Sequence, residues 1–374
     1  MRKLFFLFFL FMIMFTNCKN QTRKIEAVRG VWLTNVDSDV LKSKKTIEEA
    51  VTLCDEIGLN SIFVVTWNKG MTTYPSKIMS DFTGVAIDTQ FIGRDPLKEL
   101  IEAAHKKNIK VIAWFEFGFA SSYNENGGEI LKLKPQWASK NFEGKLVSKN
   151  NFEWMNGFLP DVQDFMLSLI LEVVNNYDID GIQGDDRLPA MPSEAGYDEF
   201  TKSLYAKKYN GDLPPADYKN PEWTRFRAGI LTDFMKRIYK EVKAAKPNVL
   251  VTMAPSIYPW SLEEYLQDWP TWLMNGSVEL IIPQVYRYKI SDYEKEINEI
   301  KKHQVSEEYF YRFYPGILLM VGDYSPDEKF LAQMIKVNRN YGINGEIFFF
   351  YEGLKKHSSL LKKLYAQKAV FPNF

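Results

Sequence analysis

The segment Tyr177-Asp178-Ile179-Asp180-Gly181-Ile182-Gln183-Gly184-Asp185-Asp186-Arg187 has the pattern of a short buried strand that delivers two adjacent carboxylates and an arginine to its carboxyl end. Parallel α/β sheets and barrels place their chemistry at the carboxyl ends of strands. An acidic pair at such a place is hard to justify as packing, whereas Asp180, just ahead of Gly181, reads as a turn residue. One of the pair could still serve as a structural partner of Arg187. Two further acids fall at strand ends. Glu116 sits among Trp114, Phe115, Phe117 and Phe119, where a charge is costly unless used or paired, and Glu352 follows the apolar run Ile347 to Phe350. For both, chemistry and structure weigh evenly.

Carboxylates arranged around a hollow are the equipment of glycoside hydrolysis. One carboxylic acid protonates the leaving oxygen, and a carboxylate attacks the sugar or activates water. Crowding helps, because like charges and burial raise one pKa while an arginine or hydrogen bonds hold the other down. The separation of the two would set the stereochemistry, about 5–5.5 Å for retention and about 6.5–9.5 Å for inversion.

The elements that must position these groups follow a regular rhythm. Strands are expected at 28–35, 59–67, 109–117, 181–184, 249–254, 278–284, 315–321 and 345–351, with helices between them. Thr46-Ile47-Glu48-Glu49 reads as a capping box, and Ile47, Ala50, Val51, Cys54 and Ile57 recur at helical spacing up to Gly58. Asp95-Pro96 opens a second helix, with Leu97, Leu100, Ile101 and Ala104 facing inward, and Ser325-Pro326-Asp327-Glu328 reads as another capping box. Eight strand–helix units fit a closed (β/α)8 TIM barrel of the α/β class better than a doubly wound sheet. No glycine-rich phosphate fingerprint follows the first strand, which also disfavours a dinucleotide fold. The connections after strands 3 and 4, 121–159 and 188–220, are longer than a barrel needs and should overhang the site.

The strand ends then present Asn35 and Asp37; Trp67 and Asn68; Glu116; Asp185, Asp186 and Arg187; Ser256 and Tyr258; Gln284, Tyr286 and Arg287; and Tyr351 with Glu352. Asp185, Asp186, Glu116 and Glu352 are the catalytic candidates. Asn35, Trp67, Arg187, Gln284, Tyr286, Arg287 and Tyr351 are the candidates for binding sugar. Trp260, Trp269 and Trp272 form a stripe that reads equally as helix core or as a sugar platform.

Composition narrows the alternatives. The 374 residues carry 47 basic and 47 acidic side chains, so no charge excess favours nucleic acid. The 15% aromatic content suits a large core, with Trp and Tyr at strand ends suited to flat ligands. The three histidines, His105, His303 and His357, fall in or beside expected helices, which disfavours a histidine-bound metal, and no Gly-x-Ser-x-Gly elbow occurs. No cofactor is expected; paired aspartates holding Mg²⁺ or Ca²⁺ are a minority alternative.

Residues 1–17 read as a signal peptide: Arg2 and Lys3 precede an apolar run from Leu4 to Phe15 that is short for a membrane span. Cys18 follows directly, as in a bacterial lipoprotein, although Phe15 and Asn17 depart from the usual lipobox. The expectation is a lipidated Cys18 with a tether at 18–26, a barrel domain at 27–374, and export to the cell membrane or outer membrane of a bacterium. Cys54 reads as a buried free thiol.

Several segments together resemble the glycosyl hydrolase-like 10 family of bacterial envelope proteins, which includes a lipoprotein hydrolase of denuded peptidoglycan glycans. They are Arg29 to Thr34, Ala113 to Gly118, Asp180 to Asp186, Gln267 to Pro270, Ile282 to Arg287 and Phe350 to Leu354. The resemblance implies a TIM-barrel glycosidase acting on a cell-envelope polysaccharide, and supports the acidic rim without choosing among its members. The expected function is a carboxylate acid/base glycoside hydrolase, with peptidoglycan glycan strands the favoured substrate. The alternative is a non-catalytic glycan-binding envelope lipoprotein on the same barrel.

Overall fold

The computed structural model describes residues 25–374. The expected signal peptide, Cys18 and the expected tether through residue 24 lie outside the described residues. Eight parallel strands form the centre: β1 Gly30–Leu33, β2 Ser61–Val65, β3 Lys110–Trp114, β4 Gly181–Asp185, β5 Leu250–Ala254, β6 Leu280–Ile281, β7 Gly316–Leu318 and β8 Ile347–Phe349. Their order is β6-β5-β4-β3-β2-β1-β8-β7, and parallel bridges Ile281–Phe313 and Gln284–Gly316 join the two ends. The sheet is therefore closed into a barrel. Regular pairing in the sixth unit shrinks from the expected 278–284 to two residues, where Pro283 has no N–H to donate to a ladder.

The outer layer contains α1 Lys44–Ile57, α2 Pro96–His105, α3 Pro160–Asn176, α4 Pro221–Ala245, α5 Trp269–Met274, α6 Ile290–Glu299, α7 Glu328–Asn340 and α8 Leu354–Leu364. In α1 the five residues at helical spacing are the buried ones, and Gly58 ends the helix in the left-handed region. Its capping box is one turn earlier than the sequence suggests: Ser43 Oγ accepts from Thr46 N, and Thr46 Oγ1 accepts from Ser43 N. Asp327, not Ser325, caps α7 through Phe330 N at 2.7 Å, leaving Ser325 to meet His357 Nε2 at 3.0 Å. Cys54 is buried and free, and burial pushes its thiol up to about 12.

Aromatic rings fill the upper barrel. The Trp32 centroid lies 5.9 Å from Phe63, 6.4 Å from Trp114 and 6.1 Å from Phe349, and its Nε1 donates to Gln183 Oε1 at 2.6 Å. Much of the aromatic excess is therefore core. The opposite face is closed by a buried acid. Glu346, just before β8, receives two hydrogen bonds from Arg339 at 2.9 Å, one from Asn338 at 2.8 Å, and one from Tyr365. Burial alone would raise its pKa, but Arg339 and these donors outweigh it and hold the carboxyl below its usual value.

Both long connections lie over the rim side. The first carries the antiparallel strands 120–123, 148–149 and 152–154. The second carries a helix, Glu199–Lys208, and packs its Tyr197 and Tyr205 against Trp223 and Phe226 of α4 in a separate aromatic cluster. Arg227 of α4 fastens the second to the barrel, donating to the carbonyls of Ser193, Ala195 and Tyr218. Burial pushes its guanidinium down to about 9, with Tyr197 and Glu194 acting against the fall.

Candidate active site

At the carboxyl end of β4 the chain turns back sharply. A side chain on Gly184 would meet the Leu188 carbonyl oxygen at 2.3 Å, and one on Gly118 would meet the Arg187 carbonyl oxygen at 1.9 Å. Gly118 also has φ +50°, so this approach demands glycine twice over. The result brings the loop after β3 against the loop after β4, with Phe119 N donating to Arg187 O at 3.0 Å.

Arg187 is the centre of what this turn assembles. Its Nη2 lies 3.1 Å from Asp185 Oδ2 and 3.5 Å from Glu116 Oε1, and its Nη1 lies 3.1 Å from Asp186 Oδ1. Nε donates to the Glu116 carbonyl at 2.9 Å, and the guanidinium lies 4.8 Å from the Phe152 ring centroid. Three acids from two neighbouring strands thus share one cation. Burial opposes the charge on Arg187, but Asp185, Asp186 and Glu116 outweigh it and raise its pKa.

The acids are not equivalent. Asp185 is 2% exposed and engaged at both oxygens: Oδ1 accepts from Arg187 N at 2.9 Å, and Oδ2 accepts from Trp114 Nε1 at 3.2 Å and from Arg187 Nη2. Glu116 and Asp186 are 17% and 23% exposed and therefore reachable. Asp186 Oδ1 sits at ion-pair distance from Arg187 without forming a hydrogen bond. Asn68 Nδ2 donates to Glu116 Oε2 at 2.5 Å.

One guanidinium cannot balance three carboxylates, so ionising the last of them is opposed by the others. Burial raises Glu116, with Asp186 adding to the rise while Arg187 and Asn68 pull against it. Burial likewise raises Asp185, with Asp186 and Glu116 in the same direction. The cluster is built to retain a proton. Tyr286 adjoins it; its phenol is raised by burial and by the charges of Asp186 and Asp185.

Other expected site residues lie elsewhere. Glu352 accepts from Ser38 Oγ at 2.7 Å and, with Asn35, Asp37 and Tyr351, lines an open cavity of about 940 Å³ beside α1. It has no contact with Arg187. Trp67 is fully buried, its Nε1 donating to Gly118 O at 3.0 Å and its ring edge-on to Phe165, so no face is open to a sugar. Arg287 is committed to Glu296 of α6 at 2.8 Å. Gln284 is half-buried, with Nε2 on the Ala254 carbonyl at 3.0 Å. Trp269 and Trp272 are core, while Trp260 is exposed. Asn68 and Trp114 carry no acid–base signal of their own in the sequence; Trp114 could have been found by alternation, two residues before Glu116. Tyr265, whose phenol burial and the Asp186 charge push up to about 12, ends a short helix in the connection after β5 and not a strand, so the list of strand ends does not reach it. Among the described residues no three His, Cys, Asp or Glu side chains are grouped to hold a metal ion.

A closed parallel barrel with acids gathered at its carboxyl rim has the architecture of TIM-barrel glycoside hydrolases. The glycoside hydrolase domain of PgaB (BpsB) from Bordetella bronchiseptica superimposes with a TM-score of 0.67 at 11% identity, covering 92% of this chain and 100% of that one. Alpha-L-fucosidase isoenzyme 2 from Paenibacillus thiaminolyticus gives 0.63 at 18%, covering 91% and 49%. The sequence model of the family Glycosyl hydrolase-like 10 matches residues 27–317, and the chain belongs to that family. It is 26% identical over 289 residues to glycosyl hydrolase YngK of Bacillus subtilis (69% of this chain, 54% of the relative). It is 24% identical over 305 residues to glycosyl hydrolase DigH of Escherichia coli K12 (70% and 66%). The matches thus span between about half and two thirds of these relatives' own length.

Proposed function

We propose that the protein hydrolyses glycosidic bonds of a bacterial cell-envelope polysaccharide, with peptidoglycan glycan strands the favoured substrate. Glu116 serves as the proton donor and Asp186 as the nucleophile or the base that activates water. The carrying observation is the Arg187 bridge between two unequal, reachable carboxyls. Both lie at ion-pair distance from the same guanidinium, which keeps them within the separation of up to about 9.5 Å that glycosidase pairs use. Burial keeps the Glu116 proton available, and once it is given up, Arg187 and Asn68 stand ready to meet the new charge. Asp185, held at both oxygens, is a positioning residue for Arg187. Attachment to the bacterial membrane through Cys18 and export ahead of it are part of the same proposal, supported by the leader-like residues 1–17.

The second reading is a glycan-binding module without catalysis, favoured by the same ion pairs, since a cluster held permanently by arginine could be purely structural. Incubation of the purified protein with peptide-free peptidoglycan strands, chitin oligomers and other envelope glycans separates the two. New reducing ends support hydrolysis. Binding without cleavage of any of them supports the module.

A further inference from the structure

Of the nine tryptophans, eight are buried in the fold, and Trp260 alone is substantially exposed, at 43%. Its position is fixed to the carboxylates by its own segment. Trp260 opens the short helix Trp260–Tyr265 in the connection after β5, on the rim side of the barrel. Seven residues on, Gln267 Nε2 donates to the carbonyl oxygens of Asp185 at 2.7 Å and Pro189 at 3.4 Å. Ser261 Oγ closes the helix onto Gln267 O at 3.1 Å. Between them, Tyr265 packs its ring 5.3 Å from that of Trp260, and its hydroxyl accepts from Asn150 Nδ2 at 2.9 Å. The charge of Asp186 reaches the same phenol. Lys149 locks the arrangement from the loop after β3, pairing with Glu194 and with Glu264 of the same helix. The exposed indole is thus one ring beyond Tyr265, on a support tied to the backbone of the acidic pair.

A rigid, partly exposed indole at the edge of a saccharide site offers a flat apolar surface complementary to the CH-rich face of a pyranose. We propose that Trp260 is the platform of an outlying subsite that binds a non-reacting sugar ring of an extended glycan chain. This rests on the glycosidase reading above and deepens it, because it makes the enzyme sensitive to chain length.

The test uses the full chain and a ladder of oligosaccharides prepared from peptide-free peptidoglycan strands. Trp260→Ala should raise KM for the longest oligomers by about tenfold, the size expected for losing one aromatic stacking contact. KM for the shortest oligomer cleaved, kcat, and the melting temperature should stay unchanged, and Trp260→Phe should recover most of the loss. Wild-type and Trp260→Ala proteins with equal KM at every chain length would overturn the subsite and leave the catalytic reading standing. Should the wild type cleave no oligomer, the hydrolase reading fails on this glycan, and affinity decides the subsite. A weaker Kd of Trp260→Ala for the longest oligomer then supports it; an equal Kd overturns it.

Discussion

Asn68 donates from Nδ2 to Glu116 Oε2 across 2.5 Å, and it does so from a side chain only 2% exposed. A donor of this kind stabilises the ionised carboxylate and so restrains the rise in pKa that burial produces. A proton donor works while protonated, so its pKa sets the alkaline limb of the activity profile. Asn68→Ala should move that limb to higher pH and lower kcat, with the acid limb in place. A limb that stays put, or moves down, would remove Glu116 from the role of acid.

How far the sequence reaches differs between fold and site. Periodicity exposed all eight strand–helix units because each strand is buried on both faces and each helix on one, as α1 shows with Ile47, Ala50, Val51, Cys54 and Ile57. Strand ends therefore led to Asp185, Asp186, Arg187 and Glu116. Direction around the rim was not legible. Glu352 also ends a strand, but turns to Ser38 beside α1, and Arg287 turns to Glu296. Trp67 looks like a sugar platform in a list of strand ends and is core in three dimensions. Such outcomes depend on contacts between distant segments, which a spacing pattern does not contain.

Gly118 illustrates a second kind of dependence. Its φ of +50° and the 1.9 Å approach to Arg187 O leave no room for a methyl group. Gly118→Ala should cost about 2–4 kcal/mol of stability by urea titration, and should lower activity further by shifting the loop that carries Glu116. Wild-type stability in this variant would show that the two loops separate at little cost.

At the other end of the barrel, Glu346 offers a control remote from the site. Its pKa is held below the unfolded value, so its contribution to stability is present above the usual glutamate range and disappears as pH falls through the depressed folded value. Glu346→Ala breaks a buried ion pair and should cost about 3–5 kcal/mol at neutral pH. The deficit relative to wild type should narrow on acidification, as the wild-type carboxyl is itself protonated. A deficit independent of pH would show that packing, and not charge, is what Glu346 supplies.

The central claim is that Glu116 and Asp186 are the working pair, and the rate of reducing-end release by Asp186→Asn and Glu116→Gln on a glycan the wild type cleaves tests it most directly. Both variants should keep a melting temperature near that of the wild type and lose activity by about 10³-fold or more. Near-wild-type turnover in either, with the fold intact, would contradict the assignment.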